Sequence, residues 1–419
     1  MTSSEALQQS ASGLTPIEDA LAYLLSKMPQ WEETESLSLH AALHRMLAED
    51  LHAPLSVPPF ANSAMDGYAL CAEVAQDPNR TIPITQRIAA GQMGSPLAPG
   101  SAARIFTGAP LPEGADAVVM QENCTIDGDE IRIQKAVVPQ ENVRPAGADI
   151  EVGSLLFSKG RRLRPQDIGA LASLGLTDVK VMRQPIVALM TTGDELQRPG
   201  EVLKAGQIYD SNFSTLRSLL TGLGATVIDC GRVGDTLIET RQALSDAAQR
   251  ADCVITTGGV SVGEEDHVRN AIEELGQVDL WRLAVKPGKP FAYGEISSTA
   301  NDRACQFFGL PGNPVSAFVT FVLLVRPCLL AMQGASDLNP KHFPVRSGFS
   351  RVAGGIRQEY LRAVLEQTPQ GLMATPLFNQ SSGVAASLSR SDGLLIVPPH
   401  IEVEQGDILQ FLPFSELGA

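Results

Sequence analysis

The spacing of apolar residues changes several times along the chain, and each change predicts a different kind of element. Within 14–55, Leu21, Leu24 and Leu25, and later Leu39, Leu43 and Leu47, recur at helical intervals until Pro54, Pro58 and Pro59 end the run. From 56 to 149 the apolar pieces are short and sit between turns such as Ala90-Gly91-Gln92 and Pro110-Leu111-Pro112-Glu113-Gly114, which predicts a small β-rich domain. Over 150–175 the pattern is mixed again, with a strand-like Leu155-Leu156-Phe157 ahead of a helical 166–174. This stretch is expected to pack on 14–55, which makes the β-rich piece an insertion.

Residues 176–333 alternate buried strands with amphipathic helices, the switch of period that marks a parallel sheet wrapped by helices. Strands are expected at 186–190, 225–228 and 253–255. The helices after them carry Leu216, Leu219, Leu220 and Leu223, then begin near Thr236, then place Val268, Ile272 and Leu275 inward. The apolar run 315–332 is interrupted by Arg326-Pro327 and is shorter than the roughly 20 residues that span a bilayer, so it reads as a core helix. Residues 334–419 return to short strands and turns, as in a compact β-barrel or sandwich.

Composition narrows this picture. A chain of 419 residues exceeds the roughly 250–300 residues that one core serves, so several domains are expected. A net charge of −15 repels polyphosphate, which argues against nucleic acid or an anionic membrane as partner. Six scattered cysteines contain no C-x-x-C pair, and Met1-Thr2-Ser3-Ser4-Glu5 lacks a secretory start, so a reduced, cytoplasmic protein is expected.

Ligands of open parallel sheets bind beyond the carboxyl ends of the strands. There the chain carries Thr191-Thr192-Gly193-Asp194-Glu195, Gly231-Arg232-Val233-Gly234-Asp235 and 256–266, each joining small residues to acids. Asp and Glu at such places commonly cap helices; convergence of Glu195, Asp235 and Asp266 would instead suit Mg²⁺, a hard cation that takes oxygen ligands. Thr257-Gly258-Gly259-Val260-Ser261 is either a tight turn or a backbone cradle for an anion, and no G-K-[ST] follows it to make a Walker loop. Lys286-Pro287-Gly288-Lys289-Pro290 places two ammonium groups on a stiff turn and reads as a phosphate or oxyanion clamp. In 310–316, Asn313 can cap a helix that starts at Pro314, with Gly312 and Ser316 as added ligand candidates. By themselves, 62–69 and 107–110 read as turns, and His40 and His44 as a helix surface. The chain contains no G-x-G-x-x-G and no plausible Cys–His nucleophile motif, which lowers nicotinamide chemistry and cysteine-based covalent catalysis.

Taken in order, 62–68, 107–110, 192–196, 258–266, 286–291 and 309–316 resemble the MoeA family of molybdopterin molybdenumtransferases, and the likeness covers nearly the whole chain. The resemblance implies an enzyme, a molybdopterin molybdotransferase of molybdenum cofactor biosynthesis. Such an enzyme binds adenylylated molybdopterin and molybdate and, with Mg²⁺, releases the cofactor and AMP. It implies an α/β multidomain fold: an elongated mixed linking domain (14–55 plus 150–175), the inserted β-rich domain (56–149), a three-layer α/β molybdopterin-binding domain with a mostly parallel sheet (176–333), and a C-terminal β-barrel (334–419). It further implies a homodimer, with the cleft between the α/β domain of one subunit and the inserted domain of the other. Transient contact with a molybdopterin adenylyltransferase and with molybdoenzyme maturation proteins is implied too.

On that basis Asp66, Glu195, Asp235 and Asp266 are expected to be catalytic, the last three as Mg²⁺ ligands. Lys286 and Lys289 would meet molybdate or phosphate; Gly258, Gly259 and Ser261 the pterin phosphate; Asp66, Thr107 and Asp149 the opposite wall; Arg362 and Ser382 the cleft from the last domain. The run 144–148 before Asp149 is less charged than the family commonly has. Two rival readings are a molybdopterin adenylyltransferase, for which one small domain suffices, and a non-catalytic scaffold, a role that eukaryotic relatives such as gephyrin add.

Overall fold

The structure, a computed structural model, describes residues 13–77, 80–234, 236–259, 267–298 and 303–417. Its centre is a six-stranded sheet in the order Thr226–Val233, Ile186–Thr192, Cys253–Thr257, Cys305–Leu310, Pro290–Ile296 and Gly276–Arg282. The first four are joined by parallel ladders and the last two by antiparallel ones. Every residue of Cys253–Thr257 and Cys305–Leu310 is buried, as strands covered on both faces require.

Alternate residues of one strand feed different layers. Val187 and Leu189 pack with Phe213, Leu216 and Leu220 of helix Ser211–Gly222 and with the 314–332 helix. Ala188 and Met190 pack with Leu244 and Ala247 of Leu237–Ala248 and with Val268 and Ile272 of His267–Leu275. The result is the expected three-layer domain. Helix 314–332 is not broken at Arg326-Pro327; a π-turn over Phe321–Val325 leads into Arg326–Met332, so Pro327 occupies the first turn of that segment. Among the described residues this is the helix long and apolar enough to cross a membrane, yet 89% of its most apolar window is buried inside the protein.

Segments on either side of the insertion share one core, in which Leu39 and Leu47 meet Phe157, Leu163, Leu171, Val179 and Val181. Thr34–Ser38 pairs with Asp178–Met182, so this unit runs beyond residue 175. Helix Ile17–Lys27 instead sends Ala20 and Leu24 into the core of the α/β domain. The helical spacing of Leu39, Leu43 and Leu47 forms no helix: residues 34–38 are strand, 39–44 are turns, and Leu43 is 38% exposed. A partner strand about 140 residues away decides this, and local spacing does not reveal it.

The insertion holds a mixed six-stranded sheet in the order Ala117–Met120, Gly67–Leu70, Ala102–Ile105, Thr81–Ile88, Glu130–Ile133 and Cys124–Asp127. In the last domain five strands close into a barrel: Gln358–Thr368, Gly371–Pro376, Phe343–Ser347, Ile408–Pro413 and Gly393–Val397, which returns to the first. Val285–Lys286 adds to it alongside Gln358 and Glu359, tying the barrel to the lysine turn of the α/β domain.

Candidate functional site

Strand Ile186–Thr192 lies between Thr226–Val233 and Cys253–Thr257, so the chain leaves it first to one side and then to the other. At such a switch point, loops leaving adjacent strand ends separate and open a crevice. Beside it lies a cleft of about 610 Å³, lined by Gly258, Gly259, Lys286, Lys289, Gly312, Ser316 and Ser382 among others. These candidates come from four separate stretches of sequence, and the fold brings them together.

The Gly258-Gly259 turn has positive φ at both residues, +84° and +63°. The Gly258 N–H donates to the Leu310 carbonyl at 3.0 Å. The Asn212 amide donates to the Gly312 carbonyl at 2.7 Å, fixing the adjoining loop. Asn313 makes no side-chain capping bond, contrary to expectation; it lines the cleft instead. The helix start there is not an open array of donors either, because the Val315 N–H donates to the Ser382 carbonyl at 3.0 Å. That bond brings the barrel loop 380–382 onto the cleft.

The two lysines differ. Lys286 Nζ lies 3.3 Å from Glu359 Oε2, and the same oxygen is 3.2 Å from Arg351 Nη1, so much of the Lys286 charge is already matched. Lys289 has no such partner among the described residues. Arg357, which the sequence reading passed over, also lines the cleft and reaches the Val285 carbonyl at 3.5 Å. It stands five residues before Arg362, the arginine expected at the cleft. Arg362 is 1% exposed and does not line the cleft. Its guanidinium donates to Ser387 Oγ, to the Asn379 carbonyl and, at 3.0 Å, to the Ser381 carbonyl, so it braces the cleft loop from behind. Burial holds the Arg362 pKa below its ordinary value.

The acids are placed differently. Glu195 is exposed just beyond Thr192, its carboxylate folded over Gly193. Asp235, Ser261 and Asp266 lie outside the described residues. Among the described residues no three His, Cys, Asp or Glu side chains gather as a metal-holding group. A Mg²⁺ bound largely through substrate phosphates needs only one or two carboxylates, and Glu195 fits that smaller demand.

Asp66 and Thr107 are partners on the insertion. The Thr107 N–H and hydroxyl donate to Asp66 Oδ1 at 2.8 and 2.9 Å, holding that carboxyl below the usual carboxylate range, the backbone donor first. Neither lines the cleft. Asp149 is exposed, its N–H donating to the Val57 carbonyl at 2.9 Å. Because the Asp66 shift is downward, its contribution to stability is present above the unfolded pKa and is lost as pH falls through the lower folded value. Thr107→Val should raise the Asp66 pKa part of the way back toward the ordinary carboxylate range, since the backbone donor remains, read by NMR titration of the carboxyl; an unchanged midpoint would show that the hydroxyl contributes nothing.

Comparison with known proteins bears on the same regions. Residues 15–175 match the model described as MoeA N-terminal region (domain I and II), 188–331 the probable molybdopterin binding domain, and 345–414 the MoeA C-terminal region (domain IV). The molybdopterin molybdenumtransferase of Haemophilus influenzae is 37% identical over 406 residues, covering 96% of this chain and 99% of that protein. That of Bacillus subtilis is 32% identical over 420 residues, covering 96% and 94%. The crystal structure of the molybdopterin biosynthesis moeA protein from Pyrococcus horikoshii OT3 superposes with a TM-score of 0.81 at 29% identity, covering 96% of this chain and all of that one.

Proposed function

The chain belongs to the MoeA family, and from that membership we propose that it is a molybdopterin molybdenumtransferase, an enzyme of molybdenum cofactor biosynthesis. Adenylylated molybdopterin and molybdate would be its substrates, and the cofactor and AMP its products. The observation that carries this reading is the cleft at the switch point, where a double-glycine turn faces Lys289 and Arg357 in a chain of net charge −15.

Each residue has a distinct task in this proposal. With the Gly258 N–H anchored on the Leu310 carbonyl, the backbone of the 258–259 turn lets a phosphate approach the Gly259 N–H closely because no Cβ intervenes. Lys289 and Arg357 hold molybdate or pyrophosphate oxygens, with Lys286 adding the part of its charge that Glu359 leaves. Ser382 closes the cleft from the barrel side. Mg²⁺, held by Glu195 with Asp235 and Asp266, would neutralise charge between two anions that otherwise repel. A homodimer would bring the Asp66–Thr107 pair of a second copy to face this wall. The free cysteines suit a reducing compartment such as the cytoplasm.

The test is to incubate the full-length protein with adenylylated molybdopterin, Mg²⁺ and molybdate and to follow AMP release. Molybdate-dependent AMP release is expected, and its absence overturns the reading. Lys289→Ala should raise the molybdate concentration for half-maximal rate about tenfold, through loss of a charge-assisted contact. Lys286→Ala should raise it less. Asp235→Ala and Asp266→Ala should fold but not turn over; retained turnover in both removes them from the mechanism.

A further inference from the structure

A second pocket, of about 600 Å³, lies where residues 160–166 of the linking unit meet the end of helix 314–332 and the C-terminal Ser415 and Glu416. It shares no lining residue with the cleft. Against the acidic whole, its wall carries Arg161, Arg162, Arg164, Arg326 and Lys341, opposed by Asp337 and Glu416. Two of these arginines are already matched, since Arg161 and Arg164 reach Asp167 at 2.7 and 3.3 Å.

Arg162 and Arg326 are not. Neither has a carboxylate within 4.0 Å among the described residues. Both are tied to carbonyls instead: Arg162 donates to Gly222 at 2.6 Å and to His44 at 3.3 Å, and Arg326 to Leu338 at 3.0 Å and to Glu416 at 3.2 Å. Carbonyls fix position but supply no countercharge. Arg326 is only 8% exposed, and its Nε is buried without a hydrogen-bond partner among the described residues. Burial pushes both guanidinium pKa values below their ordinary value, and the charge of Arg162 pushes that of Arg326 further; Asp337 and Glu416 only offset it. Two half-matched like charges in a recess of this size are costly unless an anion joins them.

We propose that this inter-domain pocket is a second anion site, built for a phosphate-class oxydianion whose oxygens accept from Arg162, Arg326 and Lys341. The planar guanidinium fork suits phosphate oxygens better than a spherical halide. The volume admits either free phosphate or the phosphate of a small nucleotide. Bound there, the anion bridges the linking unit, the α/β helix and the C-terminal end, and so sets how firmly the three are joined.

The experiment is calorimetric titration of the full-length protein with inorganic phosphate at constant ionic strength, in a Lys289→Ala background that weakens binding in the cleft. One phosphate per chain is expected. Arg162→Gln should weaken it about tenfold and the exposed Lys341→Gln about threefold. Should Arg162→Gln fail to fold, Lys341→Gln alone decides. A parallel titration with AMP identifies the source: tighter AMP binding assigns the site to a nucleotide phosphate, and equal or weaker binding to the free ion. No heat beyond that of a sodium chloride control, or unchanged affinity in the folded variants, overturns the proposal.

Discussion

Glu359→Ala is expected to lower the free energy of unfolding by about 3 kcal/mol, because it strips the countercharge from a partly buried guanidinium. The Glu359 side chain is 8% exposed and one of its oxygens serves both Lys286 and Arg351. Arg351 already buries Nε and Nη2 without partners, so it has no second carboxylate to turn to among the described residues. The figure sits at the lower end for a broken buried pair because the Arg351 side chain is 24% exposed and water can reach it. Denaturant unfolding with an unchanged m-value measures it. Glu359→Gln keeps volume and hydrogen bonding and should cost less than the alanine. A loss under about 1 kcal/mol, the level of an exposed pair, would show that Arg351 does not depend on this carboxylate.

The second large effect belongs to turnover. Gly258→Ala should lower the rate of the proposed AMP release about a hundredfold while leaving the fold intact. A Cβ there would stand 2.9 Å from Thr192 Oγ1 and 3.1 Å from the Thr192 carbonyl oxygen, at a φ of +84°. The hydroxyl can rotate away, but the carbonyl belongs to the end of a central strand and cannot. The turn must therefore move, straining the Gly258 bond to the Leu310 carbonyl, shifting the Gly259 backbone proposed to meet the phosphate and disturbing Gly312, whose own Cβ position is 3.8 Å from the Gly258 Cα. Displacements approaching 1 Å at a reacting centre cost about a hundredfold. Gly200→Ala is the control: φ there is +97° with nothing within 4 Å of the added carbon, so it carries backbone strain without the clash. Equal rates in the two variants would mean that the turn does not position substrate.

Both effects arise from contacts of unequal legibility. The double glycine after a buried strand, the lysines about a proline-stiffened turn and the Pro314 helix start are local patterns, and the fold assembles all three around one cleft. The pairing of Lys286 with Glu359 was hidden, because it depends on a two-residue strand joining the α/β domain to the barrel across more than 70 positions. Arg357 and Arg362 show the same difficulty at short range: two arginines five positions apart, one lining the cleft and one buried behind it. Composition and spacing assign them equal weight, and only the loop 379–382 that wraps the second separates them.

Taken alone, the amino-acid order determined the alternation of strands and helices over 176–333, the domain sequence around it and the family resemblance, since periodicity and turn chemistry are written in neighbouring residues. Tertiary structure alone decided that Leu39, Leu43 and Leu47 form no helix, which cleft lysine meets a carboxylate among the described residues, and that Arg162 and Arg326 share a pocket. Burial and countercharge are properties of what lies across the fold, and a chain specifies them only once distant segments have met.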